Sequence, residues 1–183
     1  MKEVPGWTSG GFDDSAWKNA TVVDPPSQTV ILQGYVGQTA QNNVTLKAKS
    51  VKKVGNTFIY DLGQSMAGVP RLVNMKGKPG QLITIHFAEM LYPEVIPTKP
   101  VAPYTVEMYK EKKGQMYREN YRSALSTDHY TFKGDPNGET YEPRFTYHGF
   151  RYLSIDGLEE ALPLENVLGV ALESIGEQVS YYE

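Results

Sequence analysis

The stretch YEPRFTYHGFRY, residues 141–152, decides the fold of this chain. It places five aromatic side chains within twelve residues and is interrupted by Gly149. Aromatic residues at this density, with a spacing of two, are typical of β-strands. Tyr147 and Phe150 cannot both face a core from a regular strand, because their separation is odd. We therefore predict strands on both sides of Gly149 and a bulge at His148-Gly149.

The rest of the chain continues the β pattern. Its 17 glycines and 12 prolines stand between short apolar stretches, which is typical of an all-β fold with many turns. We predict an antiparallel β-sandwich with one long proline-rich loop over residues 92–117, which contains a helical turn near 106–112. The predicted strands cover residues 29–35, 43–49, 57–62, 69–75, 81–89, 127–133, 141–147, 150–155 and 166–174.

Composition excludes several classes of function. The net charge of −3 and the pI near 5.7 argue against a nucleic-acid partner. The chain has no cysteine, so disulfides and cysteine-based metal sites are excluded. No apolar run approaches the ~20 residues that a membrane-spanning helix needs. No P-loop or serine-hydrolase motif is present, and we predict no cofactor.

The three histidines do not form a sequence motif for a metal. His86, His129 and His148 are far apart, and no pair has the spacing of four residues found in helical metal sites. We therefore predict no metal ion. The compartment stays open, and we favour a periplasmic or secreted location over a cytoplasmic one.

The first residues look foreign to the rest of the chain. GFDDSAW, residues 11–17, resembles the closing segment of jelly-roll, galactose-binding-like modules of bacterial glycosidases. Asp24-Pro25-Pro26 follows as a stiff boundary. We predict that residues 1–24 are the remnant of an upstream jelly-roll domain with its linker, and that residues 25–183 form the β-sandwich domain.

Five motifs lie in the order of one known family. They are YDLGQSMAG (60–68), IHFAEML (85–91), RENYRSA (118–124), STDHY (126–130) and YEPRFTYHGFRY (141–152). Together they resemble the concanavalin-like β-sandwich domain that precedes the catalytic barrel in bacterial α-L-rhamnosidases. Two features depart from that pattern: Val69-Pro70 replaces the usual Trp-Val, and the segment between Leu91 and Arg118 is longer.

The resemblance implies an accessory role. The parent enzyme would remove terminal α-L-rhamnose with inversion, using an acid and a base on a separate (α/α)-barrel domain. Inverting chemistry requires two carboxylates ~6.5–9.5 Å apart. We therefore assign no catalytic residue here. We expect a non-catalytic domain whose partners are the catalytic barrel and the upstream jelly-roll domain of the same polypeptide.

The alternative is a carbohydrate-binding module for rhamnose-containing glycans. Aromatic rings stack on sugar faces, and polar side chains bond sugar hydroxyls. The candidate contacts are Tyr92, Tyr104, Arg118, Asn120, Tyr147 and His148. An apolar patch would favour docking, whereas a shallow groove with exposed aromatics and nearby polar groups would favour sugar binding.

The carboxylates within the motifs have a structural explanation. We expect Glu89, Glu119, Asp128 and Glu142 to bond turn backbones or to pair with arginines, the candidates being Arg71, Arg122, Arg144 and Arg151. Asp61 is expected to cap the turn that begins at Gly63.

Overall fold

A computed structural model describes residues 4–27, 29–31, 33–95, 98–99, 105–175 and 180. The chain divides into two compact units, Met1–Gly37 and Gln38–Glu183. The described residues of the first unit form turns without a helix or strand. Within this unit the rings of Phe12 and Trp17 lie 5.3 Å apart.

The strand predicted over residues 29–35 is wrong. The described residues of that segment pair with no other strand, and Val30, Ile31 and Tyr35 are exposed. Their β-branched and aromatic side chains have a high strand propensity, but propensity does not produce a strand without a partner that accepts its backbone hydrogen bonds.

The second unit is built almost entirely of strands. Its elements, in chain order, are β1 (Gln41–Lys47), β2 (Ser50–Val54), β3 (Thr57–Met75), β4 (Leu82–Ala88), β5 (Met90–Leu91), α1 (Val106–Lys112), β6 (Met116–Tyr117), β7 (Thr127–Thr131), β8 (Glu139–Tyr141), β9 (His148–Asp156) and β10 (Val167–Glu173). Short 3-10 turns cover Glu119–Tyr121 and Leu164–Asn166. Helix α1 confirms the helical turn predicted within the proline-rich segment, and the Thr105 side chain caps it by accepting a hydrogen bond from the Met108 amide at 3.2 Å.

Eight of these strands form one curled antiparallel sheet. Six of them follow one another in the order β1-β10-β3-β9-β4-β7. Strands β2 and β8 also pair with β3, whereas β5 and β6 form a separate two-stranded sheet. The predicted all-β, antiparallel sandwich class is confirmed.

Strand β3 is the centre of the sheet. Its 19 residues pair with four strands, β2, β8, β9 and β10. Against β9 its register shifts, since Asp61 faces Tyr152 whereas Met66 faces Phe150. The five steps along β3 therefore match two along β9, and the extra residues bend β3. The Asp61 carboxylate accepts a hydrogen bond from the Gly63 amide at 2.6 Å, which confirms the predicted cap.

The bulge predicted at His148-Gly149 is wrong. Gly149 lies in regular β9, faces Ala67 of β3 and has no positive φ. Phe150 is fully buried, but Tyr147 precedes β9 and is 68% exposed. Only one of the two rings faces the core, so a regular strand accommodates both residues and no bulge is needed between them. The irregularity lies instead in β3, on the opposite side of the pairing.

The strand predicted over residues 141–147 is also largely wrong. β8 ends at Tyr141, and Phe145 has a φ of 61°. A β-strand requires a strongly negative φ, so the chain bends out of the sheet here and returns only at His148.

The core follows the alternation of the strands. In β4, Ile83, Ile85 and Phe87 are fully buried on one face, as their spacing of two predicts. They pack with buried side chains from the other strands: Tyr60, Leu62, Leu72, Met75, Phe132, Phe150, Leu153, Ile155 and Val167. The buried Tyr60 hydroxyl donates to the Leu162 carbonyl at 3.1 Å, so its polar atom is satisfied.

Among the described residues two carboxylates are buried, Asp128 and Glu139, and Glu139 is the more deeply buried. Glu139, the first residue of β8, is 5% exposed. It accepts hydrogen bonds from the Tyr130 hydroxyl at 2.5 Å and from the backbone amides of Lys133, Gly134 and Asp135 at 2.8–3.0 Å. The side chain thereby holds together the turn between β7 and β8. No motif in the sequence indicated this role.

Candidate functional site

A groove of about 320 Å³ lies beside strands β3, β9 and β4. Ile59, Ser154 and His86 are in register across these three strands, so their side chains share one face. Thr57 and Asp156 lie two residues further along and share that face. The lining residues are Val54, Gly55, Thr57, Ile59, His86, Gln115, Met116, Arg118, Ser154 and Asp156.

A chain of polar contacts crosses the groove. The Thr57 hydroxyl donates to Asp156 Oδ1, and Asp156 Oδ2 lies 3.3 Å from His86 Nε2. Arg118 Nη1 lies 2.9 Å from His86 Nδ1. Because a guanidinium can only donate, His86 Nδ1 must accept, and the imidazole is neutral with its proton on Nε2. The geometry therefore sets the tautomer of His86.

Arg118 also holds the segment that precedes β7. Its Nη2 donates to Thr127 Oγ1 at 2.9 Å and to the carbonyl oxygens of Leu125 and Ser126. Its Nε is buried without a partner among the described residues. These partners are neutral, so Arg118 acts here as a clamp on the backbone rather than as one half of an ion pair.

His86 has a depressed pKa. Burial is the main cause, and the nearby charges of Arg118 and His129 lower the pKa further. Asp156 raises it, but by less. The neutral imidazole inferred from the hydrogen bonds is thus also the form that the electrostatics of the groove favour.

This depression predicts a loss of stability in mild acid. The unfolded histidine binds its proton near pH 6.5, whereas the folded one binds it at lower pH. We therefore expect the melting temperature to fall as the pH drops below about 6.5, towards the folded pKa. Thermal melts between pH 8 and pH 5 measure this. A His86→Gln variant should show a flatter pH profile, and equal slopes for the two proteins would contradict the assignment.

A second polar cluster anchors the proline-rich segment. Tyr92 is only 2% exposed, and its hydroxyl donates to Glu119 Oε1. Lys112 Nζ lies 2.6 Å from the same oxygen and 5.2 Å above the Tyr92 ring. Burial would raise the pKa of Glu119, but the bonds from Lys112 and Tyr92 outweigh it and lower the pKa to about 2. The rings of Tyr109 and Tyr117 pack against Tyr92. The cluster therefore ties α1 to the 3-10 turn at Glu119–Tyr121.

The structure brings three of the six predicted sugar contacts, Tyr92, Arg118 and Asn120, together around Glu119. Arg118 and Asn120 flank Glu119, and Asn120 donates to Glu89 at 2.8 Å. His148 Nε2 lies 2.9 Å from Asp128, and its ring stacks on Phe87 at 4.0 Å. Tyr92 is buried, as described above. Tyr147 is exposed and lies immediately before β9. Tyr104 lies outside the described residues.

Two of the four predicted arginines form ion pairs, but only Arg71 does so with one of the four motif carboxylates. Arg71 pairs with Glu142, and Arg151 contacts both oxygens of Asp61 at 2.8 Å. The bond from Arg151 is the main cause that lowers the pKa of Asp61. The other two predicted arginines differ: Arg122 and Arg144 are exposed and form no ion pair within the described residues.

Sequence reasoning named Arg118 but missed the groove around it. His86, Thr57 and Asp156 come from three strands, and only the register of β3, β9 and β4 brings them together. Among the described residues, no three histidine, aspartate or glutamate side chains cluster as metal ligands. Within the same part of the chain, no helix is long and apolar enough to cross a membrane.

Comparisons with known proteins identify the family. The family described as bacterial alpha-L-rhamnosidase concanavalin-like domain matches residues 51–173. An alpha-L-rhamnosidase of Formosa agariphila is 35% identical over 157 residues, which are 86% of this chain and 15% of that protein. One from Streptomyces avermitilis is 36% identical over 156 residues, which are 85% of this chain and 13% of that protein. The chain thus spans about one seventh of the length of these curated relatives.

Solved structures agree with these relatives. The alpha-L-rhamnosidase of Dictyoglumus thermophilum superposes with a TM-score of 0.76 and 32% identity, over 94% of this chain and 17% of that one. The Streptomyces avermitilis enzyme, solved in complex with L-rhamnose, gives a TM-score of 0.73 and 35% identity, over 94% of this chain and 15% of that one. The chain belongs to the concanavalin-like domain family of bacterial alpha-L-rhamnosidases.

Proposed function

We propose that this chain serves as a non-catalytic accessory domain of an α-L-rhamnosidase polypeptide. Its partners would be other domains of that polypeptide, namely a catalytic barrel and an upstream jelly-roll domain that ends within residues 1–24. The observation that carries the proposal is the match of residues 51–173 to a domain that makes up a small share of much longer rhamnosidases.

The carboxylates of the chain support a structural role. Glycoside hydrolysis needs an acid and a base on opposite sides of a bound sugar. The motif carboxylates are instead bonded within the domain: Asp61 to Arg151, Glu142 to Arg71, Glu119 to Lys112, Asp128 to His148 and Glu89 to Asn120. Asp156 is the one carboxylate among the described residues that line the groove, so no second carboxylate there could complete an acid–base pair.

The groove gives little support to a sugar-binding role. Its described lining contains no tyrosine, tryptophan or phenylalanine ring on which a pyranose could stack. Its main polar atoms are already bonded to one another, from Thr57 through Asp156 and His86 to Arg118. A ligand would have to break these bonds before forming its own.

The proposal predicts an inert domain. The purified 183-residue chain should not hydrolyse an aryl α-L-rhamnoside above the buffer rate. Calorimetry should give a dissociation constant for L-rhamnose weaker than about 1 mM, which corresponds to less than about 4 kcal/mol of binding. Turnover that copurifies with the chain and disappears in an Asp156→Asn variant would overturn the proposal. Binding much tighter than that limit would favour the carbohydrate-binding role.

A further inference from the structure

The segment that follows β6 is held by hydrogen bonds rather than by burial. We call residues 118–126 the Arg118 segment, and each of its side chains is half-buried or exposed. Within it the Ala124 amide donates to the Tyr121 carbonyl at 3.0 Å, and the Phe87 amide of β4 donates to the Ser126 carbonyl at 3.3 Å. Segments with few buried contacts open locally at a lower free energy than the core. The hydrogen bonds therefore determine how firmly this segment is held.

The backbone of the Arg118 segment is strained at two residues. Arg122 and Ser126 have φ values of 56° and 45°, which residues other than glycine rarely adopt. Such conformations persist only where the surrounding contacts impose them. At Ser126 one of these contacts is Arg118, whose Nη2 donates to the carbonyl oxygens of Leu125 and Ser126. Loss of this contact would allow the backbone to relax.

Arg118 is the partner of His86 Nδ1 while the imidazole is neutral. Arg118 Nη1 donates to His86 Nδ1 at 2.9 Å, and Nη2 donates to Thr127 Oγ1 at 2.9 Å. The Thr127 hydroxyl itself donates to the Leu125 carbonyl at 2.8 Å. A hydroxyl oxygen can accept two hydrogen bonds, so Thr127 Oγ1 has room for one more donor. It lies 3.0 Å from His86 Nδ1.

A proton on His86 Nδ1 reverses these roles. The nitrogen becomes a donor with Thr127 Oγ1 as its acceptor, while Nε2 keeps Asp156 Oδ2 at 3.3 Å. Both nitrogens of the cation therefore have acceptors. Arg118 Nη1 instead loses its acceptor and faces a second cation at 2.9 Å. Because like charges repel and two donors cannot share a hydrogen bond, Nη1 has to leave.

Three charged or titratable groups face His86. Asp156 comes from β9, His129 comes from β7, and Arg118 comes from the segment after β6. The groove residues on β3 and β6 carry no charge, namely Thr57, Ile59 and Met116. Burial, Arg118 and His129 lower the pKa of His86 below its ordinary value of 6.5, and Asp156 opposes them by less. Protonation of the folded protein therefore takes place in mild acid.

We propose that protonation of His86 replaces Arg118 by Thr127 as the partner of Nδ1. This exchange releases the clamp that Arg118 holds on the end of its segment. The guanidinium is planar, so Nη1 cannot withdraw without moving Nη2, the atom that holds both carbonyls. Arg118 Nε is buried without a partner among the described residues, and a move into solvent satisfies it. The Arg118 segment is thus a pH-sensitive element, and this conclusion does not depend on the proposed accessory role.

Nuclear magnetic resonance of the isotope-labelled 183-residue chain tests the exchange between pH 8 and pH 5. The ring protons of His86 give its titration midpoint, and hydrogen exchange of the Ala124 and Phe87 amides reports the Arg118 segment. After correction for the intrinsic effect of pH on exchange, we expect the protection of both amides to fall several-fold through the His86 midpoint. The Asn166 amide, which donates to the Pro163 carbonyl at 2.9 Å in the other 3-10 turn, is the matched control and should keep its protection.

Two substitutions distinguish the exchange from a merely structural role. Asp156→Asn removes the carboxylate that favours the imidazolium, and His129→Gln removes a positive charge near it. The first should shift the midpoints of His86 and of both amides to lower pH, and the second should shift them to higher pH. His129 is exposed on β7, so its substitution should leave the fold intact. Arg118→Gln should raise the His86 midpoint and leave the two amides weakly protected at every pH.

Constant protection of Ala124 and Phe87 while His86 titrates would overturn the proposal. Amide midpoints that do not move with the His86 midpoint in His129→Gln would also overturn it, as would an imidazole that stays neutral until the chain unfolds. An equal fall in protection at Asn166 would show that the whole domain loosens in acid, which contradicts a local release.

Discussion

Replacement of Gly68 by alanine should lower the free energy of unfolding by about 3 kcal/mol or more. Gly68 lies in the middle of β3, where it faces His148 of β9 and Ala171 of β10. A Cβ atom at this position would overlap the Val170 carbonyl oxygen, which belongs to the backbone of β10. A side chain can rotate away from such an overlap, but a paired strand has to shift as a whole.

Gly149 provides the matched control for Gly68. It lies on β9 beside the same part of β3, within the YEPRFTYHGFRY motif. A Cβ there would meet one atom outside its own chain neighbours, Glu89 Oε1, at an ordinary contact distance of 3.6 Å. Gly149→Ala should therefore cost less than about 1 kcal/mol. Urea unfolding of both variants measures the difference. Equal losses of unfolding free energy would show that the close approach of the Val170 carbonyl does not determine the cost at Gly68.

Replacement of Glu139 by glutamine should cost about 2–4 kcal/mol. The carboxylate accepts four hydrogen bonds in a buried site, three of them from consecutive backbone amides. A glutamine offers one acceptor oxygen and places an amide group against these donors, so at least one buried N–H loses its partner. Glu142→Gln is the control, because Glu142 is exposed and has only Arg71 as its partner.

The same carboxylate should contribute to unfolding in acid. Burial raises the pKa of Glu139, but the amide and hydroxyl bonds outweigh it and lower the pKa to about 2. A depressed carboxyl pKa contributes stability above about pH 4.5, and this stability is lost as the pH falls from there to about 2. The stability of Glu139→Gln should depend less steeply on pH in this window. If denaturant titrations give the same dependence of stability on pH below about 4.5 for both proteins, other carboxylates cause the loss of stability in that range.

Strict local alternation made part of the fold predictable from the sequence. The strands expected at 81–89 and 127–133 appear as β4 and β7, within two residues at each end. In β4 the buried residues Ile83, Ile85 and Phe87 recur at every second position, until Ala88 at the end of the strand is also buried. This period is a property of the segment alone. The helical turn at α1 was also predicted, because it depends on the sequence of one short segment.

Features set by distant partners could not be predicted in this way. Residues 29–35 look like a strand in the sequence, but no partner strand accepts the hydrogen bonds of those residues in this segment that the structure describes. The bulge expected at Gly149 lies instead in β3, about 85 residues earlier in the chain. The polar groove requires the register of three strands, and sequence alone does not state which strands are neighbours. Arg118 was predicted as a sugar contact, and its clamp on Leu125 and Ser126 could not be predicted because it depends on the path of the following loop.

The position of β3 has a consequence for the order in which the domain forms during translation. β2 and the first part of β3 make a local hairpin that can assemble as soon as it leaves the ribosome. The strands that pair with the rest of β3, namely β8, β9 and β10, begin only at residues 139, 148 and 167. The later part of β3 therefore waits for some 64–92 further residues after Met75, roughly 3–18 s at ordinary elongation rates. Throughout that interval the nascent chain presents an unpaired strand of high β-propensity, the stage at which a trigger-factor-like holdase would protect it best from aggregation.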